Sequence, residues 1–293
     1  MPEILRTPDH YFENLPNYSY QANYINIGDT RIHYLDEGKG ETILCLHGEP
    51  SWSFLYRKFI PILSKKYRVI CPDFIGFGKS DKYSKVSDYS FELHFNTLQT
   101  FIEQLNLKAI NLVVQDWGGL IGLSVLGLKP ELFASVTIMN TYLPIGKPMP
   151  LPFKLWQSFA KYMPVTPVGG IIKFGTYQPL SKVVQAAYEA PYPSQKYRAG
   201  AKAWPGLVPG QPTDSGVKQL KQARATLQNW NKPALIMFSD KDPVLGKGYK
   251  WFVHNIPSDK KSFIEIKDAG HFLQEDKGEE IAQHILDYLE EFF

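Results

Sequence analysis

Little in this sequence marks it for a membrane, for nucleic acid or for an oxidising compartment. No apolar run approaches the roughly 18 residues of a membrane span, and the opening Met1-Pro2-Glu3-Ile4-Leu5-Arg6 lacks the apolar core of a secretory leader. The net charge is only +3, with both signs interspersed and no run of five or more Lys and Arg. This excludes the electrostatic footprint of a nucleic-acid or anionic-surface binder. There are two cysteines, Cys45 and Cys71, each inside an apolar strand-like run where a free thiol acts as a small hydrophobe. A metal site needs more ligands than these supply, and no cofactor is implied. The chain has no internal repeat and no low-complexity segment. A soluble, cytoplasmic, monomeric protein is the expectation, without nucleic acid or membrane among its partners.

What is present is ordinary globular material. Over 293 residues, 44% are hydrophobic and 21% charged, enough for one large α/β domain carrying an inserted subdomain. Residues 22–27 and 31–36 read as a hairpin around Gly28-Asp29-Thr30. Strand-like runs follow at 42–47, 69–73, 110–116, 135–140, 234–239 and 262–267, with helix-like stretches at about 53–65, 89–106, 118–128 and 275–292. Strands separated by helix-length segments predict a mainly parallel, doubly wound sheet. Between 143 and 228 the rhythm breaks into prolines and helical pieces. The expected plan is an α/β core (1–142 and 229–293) interrupted by a helical cap (143–228).

In such a sheet ligands bind at the carboxyl ends of the strands. There the sequence places His47-Gly48-Glu49-Pro50, then Asp73-Phe74-Ile75-Gly76, then Asp116-Trp117-Gly118-Gly119. Later come Asp240-Lys241-Asp242-Pro243 and Asp268-Ala269-Gly270-His271. An acid, a second acid and a histidine in that order give the triad order of an α/β-hydrolase fold. Gly118 and Gly119 suit the strained strand-to-helix elbow at Asp116, whereas Val114 stands where the usual G-x-S-x-G pattern has its first glycine. A carboxylate nucleophile attacking an alkyl carbon would form an ester that water must then hydrolyse. His271 would activate that water, with an acid orienting and charge-stabilising it. Each piece has a bland alternative: Asp116 as a helix cap, His271 as a surface histidine, Asp242-Pro243 as a turn. Their joint arrangement with His47-Gly48-x-Pro50 outweighs coincidence.

The stretches 47–58, 72–82 and Gln115-Asp116-Trp117-Gly118-Gly119, with Ala187-Tyr188-Glu189-Ala190-Pro191 in the cap, resemble haloalkane dehalogenases of the subfamily with an Asp-His-Asp triad. The resemblance runs over nearly the whole core and part of the cap. It implies cleavage of a haloalkane with water to alcohol, halide and a proton. Asp116 would be the nucleophile, His271 the base and Asp242 the triad acid, at the spacing from His271 that the subfamily shows. Asp240 competes for that role, and Asn140 stands where the sister subfamily carries a glutamate. The resemblance also implies that the backbone N–H groups of Glu49 and Trp117 hold the oxyanion, with the Glu49 side chain helping to hold the water. Trp117 would give one indole N–H to the leaving halide. For the second donor an ungapped alignment offers Thr176. Trp156 has the better physical case, because Trp156, Phe159 and Met163 recur at helical spacing. Trp204 is the reserve.

Other functions remain as competitors. An epoxide hydrolase uses the same triad logic but needs cap tyrosines as proton donors, and Tyr162, Tyr177, Tyr188 and Tyr192 are available. A haloacid dehalogenase would want an arginine beside the nucleophile, where this chain has Trp-Gly-Gly. A ligand receptor or a coelenterazine-type monooxygenase could share the fold, but the intact triad weighs against the first and the missing glutamate against the second.

Overall fold

Two short strands, β1 (Asn23–Ile27) and β2 (Thr30–Glu37), form an antiparallel hairpin whose turn uses Gly28 at φ +61°. This computed structural model describes residues 2–148, 151–163 and 166–293, and not the side chains at 152, 156 and 159–162. The chain continues into β3 (Thr42–Leu46), β4 (Arg68–Pro72), β5 (Ile110–Gln115), β6 (Phe133–Met139), β7 (Ala234–Ser239) and β8 (Lys261–Ile266). The eight strands lie in the order β8-β7-β6-β5-β3-β4-β2-β1. Strand β2 runs antiparallel to β4, and all pairings from β4 to β8 are parallel. Every residue of β3, β5 and β7 is buried, as expected of parallel strands covered on both faces. Cys45 on β3 and Cys71 on β4 are buried free thiols within these layers.

The strand order reverses between β3 and β5, because β4 steps outward on one side and β5 returns on the other. That crevice is where a doubly wound sheet binds its ligand. Helix α1 (Phe91–Gln104) starts at Ser90, whose hydroxyl accepts from Leu93 N–H, an N-cap contact of about 1 kcal/mol. Helix α2 (Trp117–Leu128) is buried almost all round. The stretch at 53–65 is not the continuous helix its pattern suggests. It holds a 3-10 turn at Ser53–Tyr56 and a single helical turn at Ile60–Leu63. Asp73 draws the Ser53 N–H away at 2.7 Å, and Trp52 is extended. Trp52, Phe54, Tyr56 and Phe59 are all fully buried, so the segment is packing material rather than an amphipathic surface helix.

The insert contributes α3 (Leu151–Tyr162), α4 (Val168–Gly175), α5 (Lys182–Glu189) and α6 (Ala199–Leu207). The next helix, α7 (Val217–Leu227), packs along α2: a Cβ on Gly127 would stand 2.6 Å from Ala223 backbone, and the Gln222 and Thr226 side chains donate to the Gly127 carbonyl. This helix therefore packs as a covering layer on α2. The chain closes with α8 (Tyr249–Asn255) and α9 (Leu273–Glu290). One buried polar cluster ties the cap down. Glu275 on α9 accepts from Arg57 of the core and from the Tyr188 hydroxyl of α5. Among the described residues no helix is long and apolar enough to cross a membrane, and no cluster of ligating side chains could hold a metal.

Candidate active site

Asp116 follows β5 directly and sits at φ 51°, ψ −123°, a strained conformation for a residue with a Cβ. Its surroundings hold it there. Asp116 N–H donates to the Asn140 carbonyl at 3.1 Å, and its own carbonyl accepts from the Thr141 hydroxyl at 2.7 Å and from Gly119 N–H at 2.9 Å. Close packing explains the small neighbours. A Cβ on Gly118 would lie 2.1 Å from the Leu46 carbonyl, and one on Gly119 would lie 2.1 Å from Thr141 Oγ1. The valine at 114 is accommodated from the helix: a Cβ on Gly122 would lie 2.9 Å from Val114 Cγ1. The small residue of the usual elbow has exchanged places across the strand–helix contact.

The Asp116 carboxylate faces two kinds of group. Its Oδ2 accepts from Trp117 N–H at 2.5 Å and from Glu49 N–H at 3.2 Å. Its Oδ1 lies 3.4 Å from His271 Nε2. The Glu49 amide is aimed by the loop after β3, and His47 pins that loop. His47 Nδ1 donates to the Gly48 carbonyl at 3.0 Å, while its Nε2 accepts from Phe74 N–H at 3.0 Å. With both ring nitrogens used, and with burial lowering its pKa, His47 is a neutral strut. Gly48 is required there, since a Cβ would stand 2.4 Å from that of Asp116.

His271, after β8, turns its Nδ1 to Asp242 Oδ2 at 2.8 Å. The second Asp242 oxygen accepts from Val244 N–H at 2.9 Å and Leu245 N–H at 3.0 Å. Burial alone would raise the Asp242 pKa, but His271 and these N–H groups overcome it and the pKa is lowered. Asp240 pairs instead with Lys241 at 3.0 Å. Asn140, at the end of β6, donates to Asp242 Oδ2 at 3.1 Å and to Ser239 Oγ at 2.6 Å, so the amide supports the acid. Burial opposes charge on His271, yet Asp242 and Asp116 together push its pKa up to about 10. Burial, reinforced by the Asp116 charge, holds the Glu49 carboxyl well above the usual carboxylate range. This favours the protonated form of Glu49, which can donate in a hydrogen bond.

Above these groups lies a cavity of about 190 Å³, lined by Asp116, His271 and Glu49 from the core and by Ile171, Phe174, Thr176 and Tyr177 from the cap. A smaller hollow of about 40 Å³ shares Asp116 and Glu49 and is bordered by Trp117, Pro205 and Val208. It has room for a water or two, or for one monatomic anion. Trp117 is 3% exposed at this wall. Trp204, the reserve donor, is spoken for: its indole N–H donates to His94 Nε2 at 2.6 Å, and its ring stands 4.7 Å from that of Trp117. It backs Trp117 instead of reaching the hollow. Thr176 does line the larger cavity, but its hydroxyl donates to the Lys173 carbonyl. Trp156 falls within α3, and its side chain lies outside the described residues. Of the cap tyrosines, Tyr188 gives its hydroxyl to Glu275, Tyr192 is buried beside Arg198, and Tyr177 stands at the cavity rim; the Tyr162 side chain is not described.

Comparison with known proteins decides the family. Residues 41–167 match the family model of the alpha/beta hydrolase fold. A haloalkane dehalogenase of Psychrobacter cryohalolentis is 44% identical, covering 98% of each chain. One from Mycolicibacterium paratuberculosis is 42% identical over 97% of this chain and 98% of its own. The tetrameric haloalkane dehalogenase DpaA of Paraglaciecola agarilytica superposes with a TM-score of 0.91 at 37% identity, over 96% of this chain and 97% of that one. The chain belongs to the haloalkane dehalogenases. It is thus a hydrolase of carbon–halogen bonds, and the candidate site lies at the crevice between β3 and β5. Two of its features had no sequence signal beyond their place beside known motifs: the Trp204–His94 pair, and Gln115, whose amide reaches His271.

Proposed function

We propose that this dehalogenase hydrolyses small haloalkanes through a covalent ester on Asp116. The observation that carries the reading is the convergence of two backbone N–H groups on Asp116 Oδ2 with His271 Nε2 facing Oδ1. Oδ1 attacks the carbon bearing the halogen, a C–O bond forms, and the halide leaves with the bonding electron pair. The Trp117 indole N–H receives the halide in the smaller hollow, with the Trp156 indole as the second donor. Water then gives a proton to His271 Nε2 and its hydroxide adds to the ester carbon. Glu49 and Trp117 N–H groups hold the resulting oxyanion on Oδ2, and the Glu49 side chain holds the water. Collapse breaks the Cγ–Oδ1 bond, His271 gives its proton to the departing alkoxide to free the alcohol, and the new Asp116 carboxyl loses its proton to solvent.

The electrostatics order these steps. In the resting site two carboxylates keep His271 protonated, since its pKa stands at about 10. Esterification removes the Asp116 charge, and with it part of what raises that pKa. The histidine becomes a usable base only once there is an ester to hydrolyse. Alkylation should therefore vary little between pH 6 and 9, while ester hydrolysis rises with pH.

The test is halide and proton release from 1,2-dibromoethane or 1-bromobutane, with His271→Phe beside the wild type. The variant should release about one halide per site and retain an alkyl adduct on Asp116 by mass spectrometry. A His271→Phe protein that binds substrate yet carries no adduct would refute the ester mechanism. The same proposal takes the protein as monomeric and cytoplasmic, and size-exclusion chromatography against the tetrameric relative tests the first.

A further inference from the structure

The side chain of Gln115 is fully buried at the end of β5. Its amide nitrogen lies 3.1 Å from His271 Nε2 and 3.2 Å from the His271 carbonyl oxygen. Its amide oxygen is buried with no hydrogen-bond partner among the described residues. The orientation follows from these contacts. Exchanging oxygen and nitrogen would set two acceptors against each other at 3.2 Å, so the His271 carbonyl fixes the nitrogen inward. Because Nδ1 gives its proton to Asp242, the neutral ring carries its lone pair on Nε2. An amide N–H can donate into that lone pair but only opposes an N–H standing there.

The groups around the ring are few. Asp116 faces Nε2 from β5 and Asp242 faces Nδ1 from the loop after β7. Glu49 faces the ring from the loop after β3, where burial raises its carboxyl pKa well above the usual carboxylate range. Lys241 and Tyr177 stand at the cavity rim, and Asp276 of α9 binds the neighbouring Gly270 N–H. Once Asp116 is an ester, Asp242 is the carboxylate left on the ring, and it favours the protonated form. Gln115 is the group in contact that favours the neutral one.

We infer that Gln115 is a positioning residue that keeps His271 Nε2 in its proton-accepting form during ester hydrolysis. This rests on His271 being the base, as proposed above. A neutral hydrogen bond of about 1 kcal/mol corresponds to roughly one pKa unit. The unpartnered amide oxygen is the cost of the arrangement, since an apolar side chain would leave no buried acceptor.

The experiment is rapid-quench kinetics on Gln115→Met with 1,2-dibromoethane across pH 5.5–9.5. The halide burst should keep its amplitude. The acid limb of the hydrolysis step should move up by about one pH unit, so that the alkyl-enzyme accumulates near neutrality. An unmoved limb, or a hydrolysis rate lowered by one factor at every pH, overturns the inference while a normal burst leaves the ester mechanism standing. A wild-type enzyme with no burst overturns the mechanism itself. If the variant does not fold, 15N NMR of histidine-labelled Asp116→Asn protein, whose uncharged amide stands in for the ester, serves instead. A neutral His271 with Nε2 accepting a hydrogen bond supports the inference, and an unbonded Nε2 or a proton on that nitrogen in the neutral ring overturns it.

Discussion

On the sheet side of the cavity, Asp116, Asp242, His271 and the Glu49 amide stand at four strand ends. The two acids are held by backbone contacts: Asp116 by Asn140 and Gly119, Asp242 by Val244 and Leu245. On the cap side, Ile171, Phe174, Thr176 and Tyr177 come from one short helix and the turn after it, with Phe174 88% exposed. The cap is fastened at a distance from the cavity, where Tyr188 and Arg57 meet on Glu275 and Trp204 meets His94, and also at the cavity rim, where Phe272 N–H donates to the Gly175 carbonyl and Asp276 accepts from Tyr177 and Gln178 N–H. Chemistry is thus built on the strand ends, and the shape of the substrate space on the cap. A site placed on strand ends keeps its geometry when the cap shifts.

The largest effect that tests this contrast is expected from Asp242→Asn. The amide cannot stabilise the imidazolium or fix its tautomer, and hydrolysis should fall on the order of 10³- to 10⁴-fold. The halide burst should survive and thermal stability should change little. A fall in the burst equal to that in turnover would show that the acid also shapes the alkylation step, and the core would then not divide its labour as described. Next comes Glu275→Gln, which leaves Arg57, 4% exposed, without its partner. Breaking such a buried pair costs about 3–5 kcal/mol, read as a lower denaturant midpoint. Turnover per folded molecule should stay within a few-fold, and a loss of 100-fold would mean that cap docking sets the chemical geometry after all. The smallest effect is expected from Phe174→Ser. Stability should move by no more than about 0.5 kcal/mol, and KM for longer haloalkanes should change more than kcat. Equal KM for short and long substrates would remove Phe174 from the entrance.

The strand-end groups were legible because each follows a short apolar run, and a parallel sheet brings the ends of such runs together. Asp116 and His271 needed no knowledge of packing, whereas Asp242 had Asp240 as a competitor two residues away. The 53–65 stretch misread as one helix because its apolar pattern reflects burial on all sides, which periodicity cannot tell from an amphipathic face. Helix α7 follows the proline-rich segment in sequence, and only packing shows the fit of Ala223 against Gly127. Trp204 looked like a halide donor by residue type alone. Only packing shows its N–H given to His94.

From its residues alone the chain determined the α/β plan, the elbow and the three catalytic candidates, because strand periodicity and motif order are local properties carried along the backbone. Tertiary structure decided that Asp242 and not Asp240 meets His271, that the Trp204 indole N–H is given to His94 and that Gln115 reaches Nε2. Those outcomes depend on side chains from strands and helices far apart in sequence converging within about 3 Å, the reach of a hydrogen bond, and no pattern along one segment contains that distance.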